Sequence, residues 1–139
     1  MKQGIDERVP RTESDPLDPM RRRWASELTT YKRDGTPVGT AVNIVVEGTR
    51  AFFRTYEQSW KFKRLRHNPG VEIAPATVTG RPVAPSIRAR ARLLDGVEAE
   101  QAAAIIDRRH PIFQGLVVHQ AHRLLGYTTR YFELIPLGS

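Results

Sequence analysis

Three short runs of strand-like composition follow one another between Trp24 and Tyr56, and the links between them are too short to hold a helix. "WASELTTYK" is rich in threonine and aromatic residues and ends at "RDGTP", where Asp34-Gly35 is a strong hairpin signal. "VGTAVNIVV" comes next and closes at Glu47-Gly48, and "RAFFRTY" is the third run. Parallel neighbours need a crossover of about a dozen residues or more. The spacing therefore predicts an antiparallel meander at the start of the fold.

The later segments extend the pattern. Residues 57–67 read as a short helix that Asn68-Pro69-Gly70 ends, because proline cannot continue a helix and disfavours one just before it. "VEIAPATV" is a fourth strand, and Thr79-Gly80-Arg81-Pro82 is a turn. In "VAPSIRARARLL", Ile87, Ala89, Ala91 and Leu93 alternate with Arg88, Arg90 and Arg92, the period of a half-exposed strand. "VEAEQAAAIIDRR" has helical composition with acids near its start. "IFQGLVVHQAHRLLG" predicts another amphipathic helix, capped by Gly126, and "YTTRYFELIP" a last strand. The order β-β-β-α-β-β-α-α-β, mainly β with helices, suits a small barrel with helices at its ends. Residues 1–23 have mixed charge, three prolines and little apolar periodicity, and read as a flexible N-terminal arm ahead of one domain over 24–139.

Composition removes several function classes. The 139 residues include no cysteine, so disulfides, zinc–thiolate sites, iron–sulfur clusters and thiol catalysis are excluded within this chain. No apolar run is long enough to cross a bilayer and no signal peptide is visible, so the expected location is the cytoplasm, with no membrane partner. A formal net charge of +7 favours anionic partners without choosing among them.

Catalytic constellations are scarce. There is no GxGxxG, P-loop, HExxH or GxSxG, and no catalytic residue stands out. His119 and His122 lie three apart on the last predicted helix, but no carboxylates accompany them, and they read as surface or core histidines, with no metal expected. The stronger signal is "SWKFKRLRHNPGV", residues 59–71. Arg54 and Thr55 end the third strand, and Ser59, Lys61 and Arg64 stand near the start of the next helix. Free amides, the positive end of the helix dipole, a hydroxyl and cations can converge there on a phosphate. At about 100° per residue Lys61 and Arg64 share one face, and Phe62 and Leu65 share another that docks the helix. Lys63 and Arg66 read as solvated charges. On these residues alone, a solvated basic face and an anion site both stay open. So does a nucleic-acid surface, since Trp60 and Phe62 interleave with cations and the Arg88/Arg90/Arg92 ladder could add a basic stripe. The absence of an RNP-type or helix-turn-helix pattern makes this the weaker reading.

"LTTYKRDGTPVGTAV" followed by "FFRTYEQSWKFKRLRHNPGVEIAPATVTGRPV" resembles the pyridoxamine 5′-phosphate oxidase-like (PNPOx-like, FMN-binding) split-barrel superfamily. More narrowly it is similar to the actinobacterial F420-dependent branch, the B-type flavin/deazaflavin oxidoreductases. The match runs from about Glu27 to Leu94, and "IIDRRHPIFQGLVVHQAHRLLGYTTRYFELIP" fits the branch less specifically. The resemblance implies a homodimer of split β-barrels with a cofactor in the groove between subunits. The cofactor would be F420, or FMN as the alternative, and it would serve hydride transfer to a small electron-poor substrate such as a conjugated enone or a tetrapyrrole. A non-catalytic protein that holds F420 or haem is a further alternative.

Position by position, the resemblance assigns the phosphate to Arg54, Thr55, Ser59, Lys61 and Arg64, and puts Thr40, Ala41 and Val42 beside the deazaflavin ring. Trp60 stands where the family has glycine, in a pattern like SGKVKRLR; its indole would fill part of the pocket, stack on the ring or point outward. "TAVNIV" replaces the family's "TPVWF", with Ala41 for proline and Asn43 for tryptophan. The Arg88/Arg90/Arg92 ladder is a candidate for the cofactor's anionic tail, without a family motif behind it.

Overall fold

A computed structural model of the chain describes residues 15–109 and 128–138. The strands are β1 (Ala25–Tyr31), β2 (Pro37–Val42), β3 (Val45–Glu47), β4 (Arg50–Tyr56), β5 (Gly70–Ala76), β6 (Ile87–Leu94) and β7 (Thr129–Pro136). The helices are α1 (Trp60–His67) and α2 (Gly96–Arg109). Among the described residues the strands form one antiparallel sheet in the order β2-β1-β5-β6-β7-β4-β3.

The sheet is a mainly β, curled half-barrel. Its two edge strands are neighbours in sequence: β2 ends at Val42 and β3 begins at Val45. The edges can be this close only if the sheet curls back on itself. The expected three-strand meander is corrected here. "VGTAVNIVV" is two strands, and its halves pair at opposite edges, β2 with β1 and β3 with β4. The break falls at Asn43-Ile44, where Asn43 Nδ2 donates to the Trp24 carbonyl at 2.6 Å and Ile44 is buried. Two hairpin turns follow the sequence reading, with Gly35 (φ +91°) and Gly48 (φ +63°) taking backbone conformations that side chains disfavour.

The strand containing the arginine ladder starts at Ile87 rather than Val83; Pro82 makes only an isolated bridge to Ala76, and Pro85 cannot donate to a ladder. Its alternation holds through Ala91: Ala89 and Ala91 are buried and Arg88 and Arg90 exposed.

The barrel interior is filled by Leu28, Phe53, Ile73, Phe132 and Leu134. Phe53 stacks on Phe132 with centroids 5.3 Å apart, and Phe62 of α1 meets Phe132 edge-on at 5.9 Å. Phe62 and Leu65 are the buried face of α1, as their spacing predicts. Leu17 and Met20 also join this core, around a short 3-10 turn at Asp18–Met20. Residues 15–23, read from sequence as part of a flexible arm, therefore pack onto the barrel at those two positions. A second cluster lies between the sheet and α2: Val45, Phe52 and Leu94 meet Ala102 and Ile106. The predicted helix of residues 112–126 lies outside the described residues. No helix among the described residues is long and apolar enough to cross a membrane.

Candidate functional site

The junction of β4 and α1 is built by Ser59. Its backbone is extended (φ −79°, ψ 153°), and its Oγ accepts from the Phe62 amide at 3.0 Å, which makes it the N-cap of α1. The hydroxyl of Thr55 lies 3.1 Å from the same oxygen, tying the strand end to the helix start. The Trp60 and Lys61 amides, in the first turn, have no carbonyl four residues back inside the helix. That turn carries no acidic residue to offset the dipole.

A cavity of about 330 Å³ opens at this junction. Six of the sequence-expected residues line it: Ala41 and Val42 from β2, Arg54 and Thr55 from β4, then Ser59 and Lys61. The side chain of Lys61 is half-buried and forms no ion pair among the described residues. Burial pushes its ammonium below the usual lysine range, and the nearby Arg64 charge pushes the same way. Arg54 is committed differently. Its guanidinium, 10% exposed, donates to Asp107 of α2 at 2.8 Å. Neighbouring Tyr131 has its phenol raised by burial, opposed in part by a hydrogen bond with Arg54.

Three expected site residues lie elsewhere. Thr40 is in β2 but does not line the cavity; its Oγ1 sits 3.5 Å from the Leu28 carbonyl. Trp60 and Arg64 line a second cavity, of about 790 Å³, together with residues of the β1–β2 turn. Trp60 points outward at 73% exposure, with the Lys63 ammonium 4.5 Å from its ring. Arg64 reaches across to β1, where its Nε donates to the buried Thr30 hydroxyl at 2.6 Å. The expectation that Lys61 and Arg64 work on one face is corrected by this tether. Lys63 and Arg66 are exposed, and Arg66 lies over the Phe62 ring at 5.8 Å. Of the arginine ladder, none lines the 330 Å³ cavity. Arg92 is engaged by Glu98 at 3.0 Å and by Glu133 at 2.8 Å.

Sequence reasoning missed Ile106 and Thr129, which complete the cavity wall with Asn43 and Tyr56, and Asp107, which holds the lining residue Arg54. Asn43 had one signal, its departure from the family pattern; its Oδ1 is buried with no hydrogen-bond partner among the described residues. Among the described residues, no group of three His, Asp or Glu could hold a metal ion, and His119 and His122 lie outside those residues.

No protein-family model matches the chain, and no curated protein does. Solved structures do. HutZ, the haem storage protein of Vibrio cholerae, superposes with a TM-score of 0.67 at 19% identity, covering 94% of this chain and 93% of that one. A candidate pyridoxamine 5′-phosphate oxidase from Listeria innocua gives 0.64 at 16%, covering 91% and 94%. An F420 reductase gives 0.55 at 17%, covering 88% and 93%. The likeness is one of fold: the described sheet is the PNPOx-like split barrel.

Proposed function

We propose that the chain is an F420-dependent oxidoreductase. In this reading the cofactor phosphate sits at the start of α1, and the ring lies along Ala41 and Val42. The observation that carries the reading is Lys61: a half-buried ammonium without an ion-pair partner among the described residues, at a helix N-terminus, inside a cavity. A buried cation costs stability unless an anion meets it. The lining fits a phosphate: Lys61 supplies charge and a first-turn amide, and Thr55 supplies a hydroxyl. Arg54 would add a second cation to the extent that Asp107 releases it.

The bound deazaflavin would supply the hydride chemistry. The chain's own residues bind the phosphate, orient the ring against β2 and exclude water from the cavity between β4 and α2. A volume of about 330 Å³ is at the small end for ligand sites. It accommodates the phosphate end and part of a ring, and a second copy of the chain would supply the remaining wall, as the split-barrel resemblance implies. The presence of an F420 reductase among proteins of this fold supports the reading; haem storage and pyridoxamine phosphate oxidation occur beside it. FMN is the rival occupant, because it offers the same phosphate to the same residues. Parallel titration with F420 and FMN decides between them.

A further inference from the structure

The larger cavity is not needed by that reading, and it shares no lining residue with the Lys61 cavity. We infer that it is a second ligand site, for a flat aromatic or conjugated small molecule carrying a carboxylate or phosphate. It lies between the β1–β2 turn and the outer face of α1, with a volume of about 790 Å³, well inside the range of small-molecule sites.

Two aromatic residues and three cations define its chemistry. Trp60 presents its indole to the cavity at 73% exposure, so the ring adds almost nothing to the core. The Lys63 ammonium at 4.5 Å steadies the ring without covering it. Tyr31 offers a ring and not a hydroxyl, because its O–H is spent on Glu72 at 2.8 Å. Lys32, Arg33 and Arg64 supply the charge, and none of the three forms an ion pair among the described residues.

Each arginine is prepared for an anion. Arg64 is held by its Nε on buried Thr30, which leaves its two terminal nitrogens for a ligand. Arg33 Nη2 lies 2.6 Å from His67 Nε2, which holds the guanidinium at the cavity edge, where an anionic oxygen could also accept from it. The one acid of the cavity, Asp34, is turned onto its own backbone: its Oδ1 accepts from the Thr36 amide at 2.9 Å. Stacking surface and a net positive charge, three cations against one carboxylate, thus converge on a single pocket. A single-stranded nucleic acid would use successive stacking platforms along a basic groove; here one exposed indole faces one pocket.

The test is calorimetric titration with 2-naphthoate, its neutral counterpart 2-naphthamide, and tryptophan fluorescence alongside. The expected result is saturable one-to-one binding of the carboxylate, at least about tenfold tighter than the amide, with quenching of Trp60. Trp60→Ala weakens binding at least about tenfold and removes the quenching, since a stacked aromatic platform is lost. The fold survives, because the indole is exposed, and Trp24 remains to report it. Arg33→Gln weakens binding, and Arg90→Gln on the exposed ladder does not. Saturating F420 leaves the naphthoate isotherm unchanged, so this result stands whether or not F420 binds at Lys61. The inference is overturned by absent binding, by equal affinity for the amide, or by wild-type affinity in Trp60→Ala. It is equally overturned by displacement with F420, which would make the pocket part of the cofactor site, or with an oligouridine, which would make it a nucleic-acid groove.

Discussion

Arg54, which lines the Lys61 cavity from β4, meets Asp107 of α2 at 2.8 Å, 53 residues away in sequence. The pair fastens the helix to the sheet and holds one of two cavity cations in an internal partnership. An incoming phosphate therefore competes with a carboxylate already in place. Asp107→Asn should lower the free energy of unfolding by about 1–3 kcal/mol, because it leaves a nearly buried guanidinium short of its charge partner. It should also tighten binding of inorganic phosphate several-fold. Urea denaturation and phosphate titration read the two effects, which have opposite signs for fold and ligand.

Ser59 carries the start of α1. Ser59→Ala removes the oxygen that accepts from Phe62, and should cost about 1 kcal/mol. Hydrogen exchange should locate the loss, with faster exchange of the Phe62 amide and little change in β1. Ser59→Thr should keep most of the stability.

Glu133 sits between Arg50, at 3.0 Å, and Arg92, at 2.8 Å, and its carboxyl is held below the usual glutamate value, chiefly by the hydrogen bond from Arg50. The ordinary value is 4.5. A folded-state value below the unfolded one means that the unfolded chain binds the proton first. The stabilisation is therefore fully present above that ordinary value and is lost as pH falls through the folded one. Glu133→Gln should cost about 1 kcal/mol near neutral pH, since both arginines are partly solvated, and should flatten the loss of stability on acidification. Equal acid slopes in the two proteins would contradict this role.

The sheet was legible where one face is wet. β6 shows this best, with Ala89 and Ala91 inward and Arg88 and Arg90 outward. Legibility failed where both faces are covered. Val42, Ile44, Val45 and Val46 are all buried, so nothing in their hydropathy marks the crossing from one sheet edge to the other at Asn43. Leu17 and Met20 were lost among prolines and charges, because two isolated apolar residues make no period.

For the site, Thr55, Ser59 and Lys61 could be read together because they are neighbours along the chain at a helix start. Asp107 could not, since only the packing of α2 on the sheet brings it to Arg54. The separation of Arg64 from Lys61 depends on a hydrogen bond to Thr30, 34 residues away, that helical periodicity does not contain.

The account turns on the ammonium of Lys61, half-buried and without an ion pair among the described residues. Its burial should make the ligand-free protein slightly more stable as Lys61→Met, by about 0.5–1 kcal/mol, while ligand binding is lost. The most direct measurement is titration of the purified chain into F420 while following F420 fluorescence, with FMN in parallel. The account predicts saturable quenching at one cofactor per chain, weakened by about 1.5–3 kcal/mol in Lys61→Ala, as for a lost charged hydrogen bond. Binding of FMN without F420, or wild-type F420 affinity in Lys61→Ala, would contradict it.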